Sequence, residues 1–182
     1  MDKTHFSREI EIPEGVTVKS SGGIVTVKLK NSEVSKKFKF SGEQIKIEGK
    51  KVLLSTRRMN QSDKKMIGTV ESHIKNMIKG VAEGHKYILK ICSGHFPMNV
   101  SYSNGKLTIK NFFGEKKPRV LNVKQGVNVK VEGDHITVES ADKDLASQVS
   151  ASIEQLTRRP GFDTRVFMDG IYITSKAGKE LK

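Results

Sequence analysis

Residues 45–56, IKIEGKKVLLST, and residues 129–140, VKVEGDHITVES, repeat one pattern. Each opens on an apolar–Lys–apolar–Glu–Gly run, crosses two polar residues and enters a second apolar alternation. Alternation with period two puts successive side chains on opposite faces of a strand, and a glycine between two such runs supplies a tight turn. The pattern therefore predicts two β-hairpins, turning at Glu48-Gly49-Lys50-Lys51 and Glu132-Gly133-Asp134-His135. A chain that writes one hairpin twice folds either as two related units or as one long sheet holding both copies.

The match continues on both sides of the hairpins. GIVTVKL at 23–29 corresponds to GKLTIKN at 105–111, and Pro13 and Val16–Val18 correspond to Pro97 and Val100. Downstream, Met66, Val70, Ile74, Met77 and Val81 make one apolar stripe at helical spacing, as do Leu145, Val149, Ile153 and Leu156. Asp63 and Asp142 stand where a carboxylate caps exposed N–H groups. Gly80 and Gly84 suit the end of the first helix, and Pro160-Gly161 the end of the second. Several strands ahead of a single helix do not make βαβ units. The predicted fold class is α+β: two tandem copies of a small antiparallel or mixed β-sheet packed against one α-helix. The predicted domains are 1–84 and 85–182, the second including a C-terminal segment, with a connector around Gly84-His85-Lys86.

Composition narrows the function. Of 182 residues, 33 are Lys or Arg and 20 are Asp or Glu, a net charge of +13. Residues 1–90 carry 19 bases and 10 acids, and residues 91–182 carry 14 and 10. Such an excess points to nucleic acid, whose phosphates release counterions to clustered Lys and Arg. No basic amphipathic helix, lipidation motif, signal peptide or bilayer-spanning apolar run is present in the sequence, so no membrane partner is expected. The single cysteine, Cys92, rules out an internal disulfide and a multi-thiolate zinc site, which fits a soluble protein of a reducing compartment.

Chemistry is weakly signalled. Cys92 and His95 form a C-x-x-H pair with no second pair to complete a metal site. Cys92 reads as a small buried residue of a strand over 86–92, His73 as structural, and His95-Phe96-Pro97 as a turn at a strand start. His85 and His135 share no ligand spacing with these, and neither a GxGxxG nor a phosphate-loop motif occurs. We expect no enzyme, cofactor, metal or small-molecule substrate.

The segments HIKNMIKGVAEGHKYILKICSGHFPMNV (73–100), NFFGEKKPR (111–119) and DTRVFMDGIYI (163–173) strongly resemble the large-subunit ribosomal protein family numbered six in bacteria and nine in eukaryotes. The resemblance covers nearly the whole chain, and NFFGEK and DGIYI point to its archaeal–eukaryotic branch. The eukaryotic pattern has a paired tryptophan motif ahead of the first helix; here that stretch is Arg57-Arg58-Met59-Asn60-Gln61, the tails are short, and the chain has no Trp. A shortened member, such as one from a reduced eukaryote, would fit. The resemblance implies two tandem domains of one α/β fold and a structural role in the cytoplasmic ribosome. It also implies rRNA near the sarcin–ricin loop and the stalk base, neighbouring ribosomal proteins, and translation factors docking nearby. An extraribosomal nucleic-acid-binding protein of the same duplicated fold is the alternative.

Double-stranded RNA offers mainly phosphates and 2′-hydroxyls, which calls for Lys and Arg on rigidly held loops. The predicted rRNA-binding residues are Lys116, Lys117 and Arg119 after the NFF turn, Arg158, Arg159 and Arg165 beyond the second helix, and Lys176 with Lys179 and Lys182 on the tail. Lys36, Lys37, Lys39, Lys50 and Lys51 of the first domain could serve RNA or a neighbouring protein. Phe112 and Phe113 could stack on bases, with at least one of them core. Over 158–176, Phe162, Val166, Phe167, Ile171 and Tyr172 are expected to pin a short extended piece that presents the arginines. Asp163 or Asp169 is expected to orient one arginine, or to consume Arg165 internally.

Overall fold

The structure, a computed structural model, describes residues 6–30, 32–38, 45–56, 60–163 and 165–181, with Phe6 described in its backbone alone. Contacts divide the chain into two units, Met1–Gly84 and His85–Lys182. In the first, strands β1 (Phe6–Glu11), β2 (Thr17–Ser21), β3 (Ile24–Leu29), β4 (Ser32–Lys37), β5 (Ile45–Glu48) and β6 (Lys51–Thr56) precede helix α1 (Gln61–Glu83). In the second, β7 (His85–Cys92), β8 (Asn99–Ser103), β9 (Lys106–Lys110), β10 (Arg119–Asn122), β11 (Asn128–Glu132) and β12 (His135–Ser140) precede α2 (Lys143–Leu156). Strands β13 (Gly170–Lys176) and β14 (Lys179–Glu180) follow.

The duplication is visible in the pairing. The first unit forms sheets β1-β6-β5 and β2-β3-β4; the second forms β7-β12-β11, extended by β13 and β14, and β8-β9-β10. Each unit thus holds two sheets rather than the one expected, and every strand pair among the described residues is antiparallel. The predicted hairpins close at Glu48↔Lys51 and Glu132↔His135. Gly49 and Gly133 sit at φ of 57° and 56°, the left-handed backbone a two-residue turn requires and a Cβ disfavours.

The helices cover the sheets. In α1, Ile67, Val70, Ile74, Met77, Ile78 and Val81 are buried, and the helix packs on β1, β3, β4 and β6. Met66, predicted in the stripe, is 43% exposed because it lies at the rim of that face while Ile67 points into it. In α2, Ala146, Val149, Ser150 and Ile153 are buried, while Leu145 and Leu156 are half-buried flanks. The buried Ser150 hydroxyl is satisfied by donating to the Ala146 carbonyl at 2.8 Å. Asp142 caps α2 by accepting from the Asp144 N–H at 2.8 Å. Asp63 is not the cap of α1; the helix starts earlier, after Asn60, and leaves Asp63 in the first turn. Gly84, at φ 78°, ends α1 with its N–H on the Gly80 carbonyl. Helix α2 ends at Leu156, ahead of Pro160-Gly161, because Thr157 leaves helical geometry and its hydroxyl donates to the Glu154 carbonyl.

Two features of the second unit depart from the duplicated plan. Residues 111–118 join β9 to β10, whereas β3 ends at Leu29 and β4 already begins at Ser32. And the C-terminal segment is more than a short extended piece: β13 is a seven-residue strand beside β7, paired from Gly170↔Cys92 to Ile173↔Leu89 and, after a one-residue register shift between Ile173 and Ser175, from Ser175↔Ile88 to Lys176↔Tyr87. Cys92 is half-buried at the end of β7 rather than fully enclosed.

Candidate nucleic-acid interface

Both departures converge at one end of the second unit. In the 111–118 loop, Asn111 (φ 59°), Phe113 (φ 49°) and Gly114 (φ 73°) are all left-handed. Asn and Gly tolerate that backbone; Phe does not, so packing must hold Phe113 there. Asn111 anchors the entry by donating from Nδ2 to the Pro97 carbonyl at 3.1 Å. Phe112 is core, 1% exposed, while half-buried Phe113 meets it edge-on at 4.9 Å between ring centres. Phe113 also lies 6.3 Å from Phe162, 6.2 Å from Phe167 and 6.4 Å from His95. Phe162 and Phe167 meet edge-on at 5.2 Å, so three loops share one aromatic cluster.

Asp169 ties the loop after β7 to the segment before β13. Its Oδ1 accepts the backbone N–H groups of Gly94 and His95, the latter at 2.9 Å, and its Oδ2 pairs with His95 Nδ1 at 2.6 Å. Burial by itself would raise this carboxyl, but the hydrogen bonds from His95 and Gly94 outweigh it and hold the group below the ordinary aspartate range. Of the two carboxylates expected to orient an arginine, Asp163 or Asp169, the second is therefore taken up: it is filled by donors over seventy residues away.

The predicted cationic residues divide into four groups. Lys116, Lys117, Arg158 and Arg165 are exposed on the loops around the cluster. Arg165 is 91% exposed at its side chain and touches Asp163 loosely, with Nε 3.5 Å from Oδ1, so it is oriented rather than consumed. Asp163 Oδ1 also accepts the Arg165 backbone N–H at 2.9 Å. Arg159 stands over the rings of Phe162 at 3.9 Å and Phe113 at 4.7 Å, which fixes its guanidinium plane at the cluster's edge. Arg119 is turned inward: it forks onto Glu115, donates to the Leu156 carbonyl at 2.6 Å and lies 4.3 Å over Phe112. The Arg119 hydrogen bond holds the Glu115 carboxyl below its usual range, and the guanidinium is a brace rather than a phosphate hook.

Lys176 is not brought to the others. It is exposed at the opposite end of β13, about 20 Å along the strand from Gly170 at ~3.3 Å per residue. Lys179 is exposed beside it on β14, and Lys182 lies outside the described residues. In the first unit, Lys36 approaches His73 Nδ1 at 3.0 Å, Lys50 pairs with Glu14 and Lys51 with Glu9; Lys39 and the Arg57-Arg58-Met59 stretch lie outside the described residues.

Between these loops runs a groove of about 480 Å³ lined by Phe113, Arg158, Arg159, Phe162, Phe167 and Tyr172, among others. Ile171 is fully buried and Phe167 half-buried, but Phe162, Val166 and Tyr172 are 40%, 59% and 39% exposed, and Met168 55%. Val166 is thus no anchor. The lining mixes aromatic rings and two arginines with two carboxylates, Glu154 and Asp169, each already accepting backbone N–H groups, so the cations left to grip phosphates are Arg158 and Arg159, beside ring faces suited to unstacked bases. Sequence reasoning missed the Asp169–His95 link and the Arg159 stack, which no local spacing encodes. Among the described residues no group of three or more His, Cys, Asp or Glu could hold a metal ion, and no helix is long and apolar enough to cross a membrane.

Comparison with known proteins follows the same division. The family model described as Ribosomal protein L6 matches residues 12–84 and again residues 96–170. Large ribosomal subunit protein uL6 of Methanococcus vannielii is 45% identical over 173 residues, 95% of this chain and 95% of that protein. Its counterpart in Methanocella arvoryzae is 44% identical, covering 93% of this chain and 97% of its own length. That in Methanothrix thermoacetophila is 41% identical, covering 93% and 96%. These relatives are archaeal rather than from a reduced eukaryote.

Proposed function

The chain belongs to the ribosomal protein L6 family, and from that membership we propose that it is a structural constituent of the large ribosomal subunit in the cytoplasm. It binds ribosomal RNA through the second unit, by Lys116, Lys117, Arg158, Arg159 and Arg165, and contacts neighbouring ribosomal proteins. The observation that carries this reading is the cationic rim itself. The two places where the second unit departs from its duplicate, the 111–118 loop and the segment leading into β13, are the places that build it. The aromatic cluster and Asp169 order these loops before RNA arrives, which removes much of the entropy cost of binding. Lys176 and Lys179 would meet a separate stretch of RNA. The family resemblance supports a seat near the sarcin–ricin loop and the stalk base, within reach of translation factors.

The role is that of a scaffold and not an enzyme. The test is sedimentation of a tagged copy in cells carrying no other source of the protein. It should travel with large subunits and persist through a high-salt wash. A copy that sediments free of both subunits would instead support the extraribosomal alternative and refute this reading.

A further inference from the structure

The duplicated plan leaves one position filled in the second unit and, among the described residues, unpaired in the first. The Ile12 N–H donates to the Lys50 carbonyl at 2.8 Å, and the equivalent Ile91 N–H donates to the Asp134 carbonyl at 2.7 Å. Strand β1 pairs with β6 as β7 pairs with β12, so β1 holds the place of β7. On its other side β7 carries β13, whose Ile171 is fully buried against α2. On the corresponding side of β1 no strand is paired among the described residues. A groove of about 590 Å³ lies there, between β1 and the C-terminal half of α1, with Ile10, Pro13, Ile78 and Ala82 in its wall.

We propose that this edge of β1 is a docking site for an extended segment of another protein, which pairs antiparallel with β1 and alternates apolar with basic residues. The polarity of the edge follows from the Ile12–Lys50 bond. Residues of that parity face β6, so Ser7, Glu9 and Glu11 aim their N–H and C=O groups outward, a template for a further strand. The side chains set the pattern of the occupant. Ile10 is 3% exposed and points to the helix side, where an incoming apolar residue would meet Ile78 as Ile171 meets α2. Glu9 and Glu11 stand on the other face with one nearby lysine, Lys51, between them, so an incoming Lys or Arg would meet carboxylate there. Lys75 is engaged by Glu71 at 2.7 Å and Lys79 stands beside Glu83, so the groove's own cations are already opposed.

Charge also selects against other occupants. Residues 6–16 hold three acids and one base in a chain of net charge +13, a poor face for phosphate. A second copy pairing β1 on β1 would set Glu9 and Glu11 against their own kind. The site is independent of the RNA rim, since it lies wholly within the first unit.

The probe is a capped peptide of about eight residues alternating isoleucine with lysine, and its control carries glutamate in place of lysine. Hydrogen exchange is read on the full chain. The lysine peptide should slow exchange at the Ser7, Glu9 and Glu11 amides about tenfold or more, and the glutamate peptide should not. Glu9→Lys with Glu11→Lys should abolish the protection while the α1 amides stay as slow as before. If that variant fails to fold, Glu9→Gln with Glu11→Gln should weaken the peptide severalfold. The proposal is overturned if both peptides protect alike, or if neither protects at millimolar concentration. It is equally overturned if the β1 amides are slowed by an RNA hairpin or by raising the protein concentration alone, which would give the edge to RNA or to a second copy.

Discussion

Replacing Asp169 tests whether the loops of the candidate interface are held by one carboxylate. The Ala variant removes an acceptor that serves two backbone N–H groups and one imidazole. Hydrogen bonds to a charged acceptor contribute about 1.5–3 kcal/mol each. Gly94 and His95 are exposed, so water can recover part of the loss and the low end applies. The imidazole pair adds under about 1 kcal/mol, since His95 is 42% exposed at its side chain. The sum is about 2–4 kcal/mol, or a fall of roughly 10–20 °C in Tm for a unit of this size. Asp169→Asn keeps a carbonyl oxygen for the N–H groups and loses only the charge, so it should cost about 1 kcal/mol. The native carboxyl is depressed below its unfolded value. Its contribution is therefore fully present above about pH 4 and is lost as the pH falls through the folded value. The gap between native and Asn proteins should accordingly close in acid. All three tyrosines, Tyr87, Tyr102 and Tyr172, lie in the second unit and the chain has no Trp, so tyrosine fluorescence reads that unit alone. An Ala variant melting within about 2 °C of the native protein, or a gap that persists unchanged at about pH 3, would refute the account.

Other substitutions separate scaffold from interface. Ile74→Ala and Ile153→Ala, both at fully buried positions, should each cost about 2–5 kcal/mol in a denaturant melt followed by circular dichroism. Arg158→Ala should leave Tm unchanged and Arg159→Ala should lower it by a few degrees, since the Arg159 stack is worth about 0.5–1 kcal/mol; both should weaken binding to a structured RNA in a filter assay. Lys116→Ala with Lys117→Ala should flatten the plot of log affinity against log salt by about 1.4–1.8, the share of two phosphate contacts, and an unchanged slope would remove both lysines from the interface.

What could be read from the chain was what repeats at short range. The two hairpins, the two helices and their central residues Ile74 and Ile153 follow from periods of two and of about 3.6. The edges of those helices were less legible, because a stripe drawn through Met66 and Leu145 does not know how wide the sheet beneath is. The order of the helix starts also turned on a single cap: Asp142 takes that role, but Asn60 displaces Asp63. At the candidate interface, charge located Lys116, Lys117, Arg158 and Arg165 on exposed loops, yet could not separate them from Arg119. That distinction depends on Glu115 and the Leu156 carbonyl, the second being thirty-seven residues distant. Strand β13 read as a short extended piece because its partner β7 lies some eighty positions earlier, and pairing across that separation leaves no local signature.

The seat of β13 beside β7 also sets an order of events during synthesis. Every strand of the first unit, and then α1, is complete before the second unit begins, so the first can fold as the chain emerges. The second unit cannot do the same. Strand β7, its first element, waits for a neighbour among its last, and Ile171, which fills the core against α2, arrives after the helix it packs on. Until then one side of β7 is an unpaired edge with apolar surface beside it, the kind of surface that invites misassociation. The loops that carry the arginines precede β13 and are tied down by Asp169 at its threshold, so the candidate interface takes its final form only after Asp169 has been made.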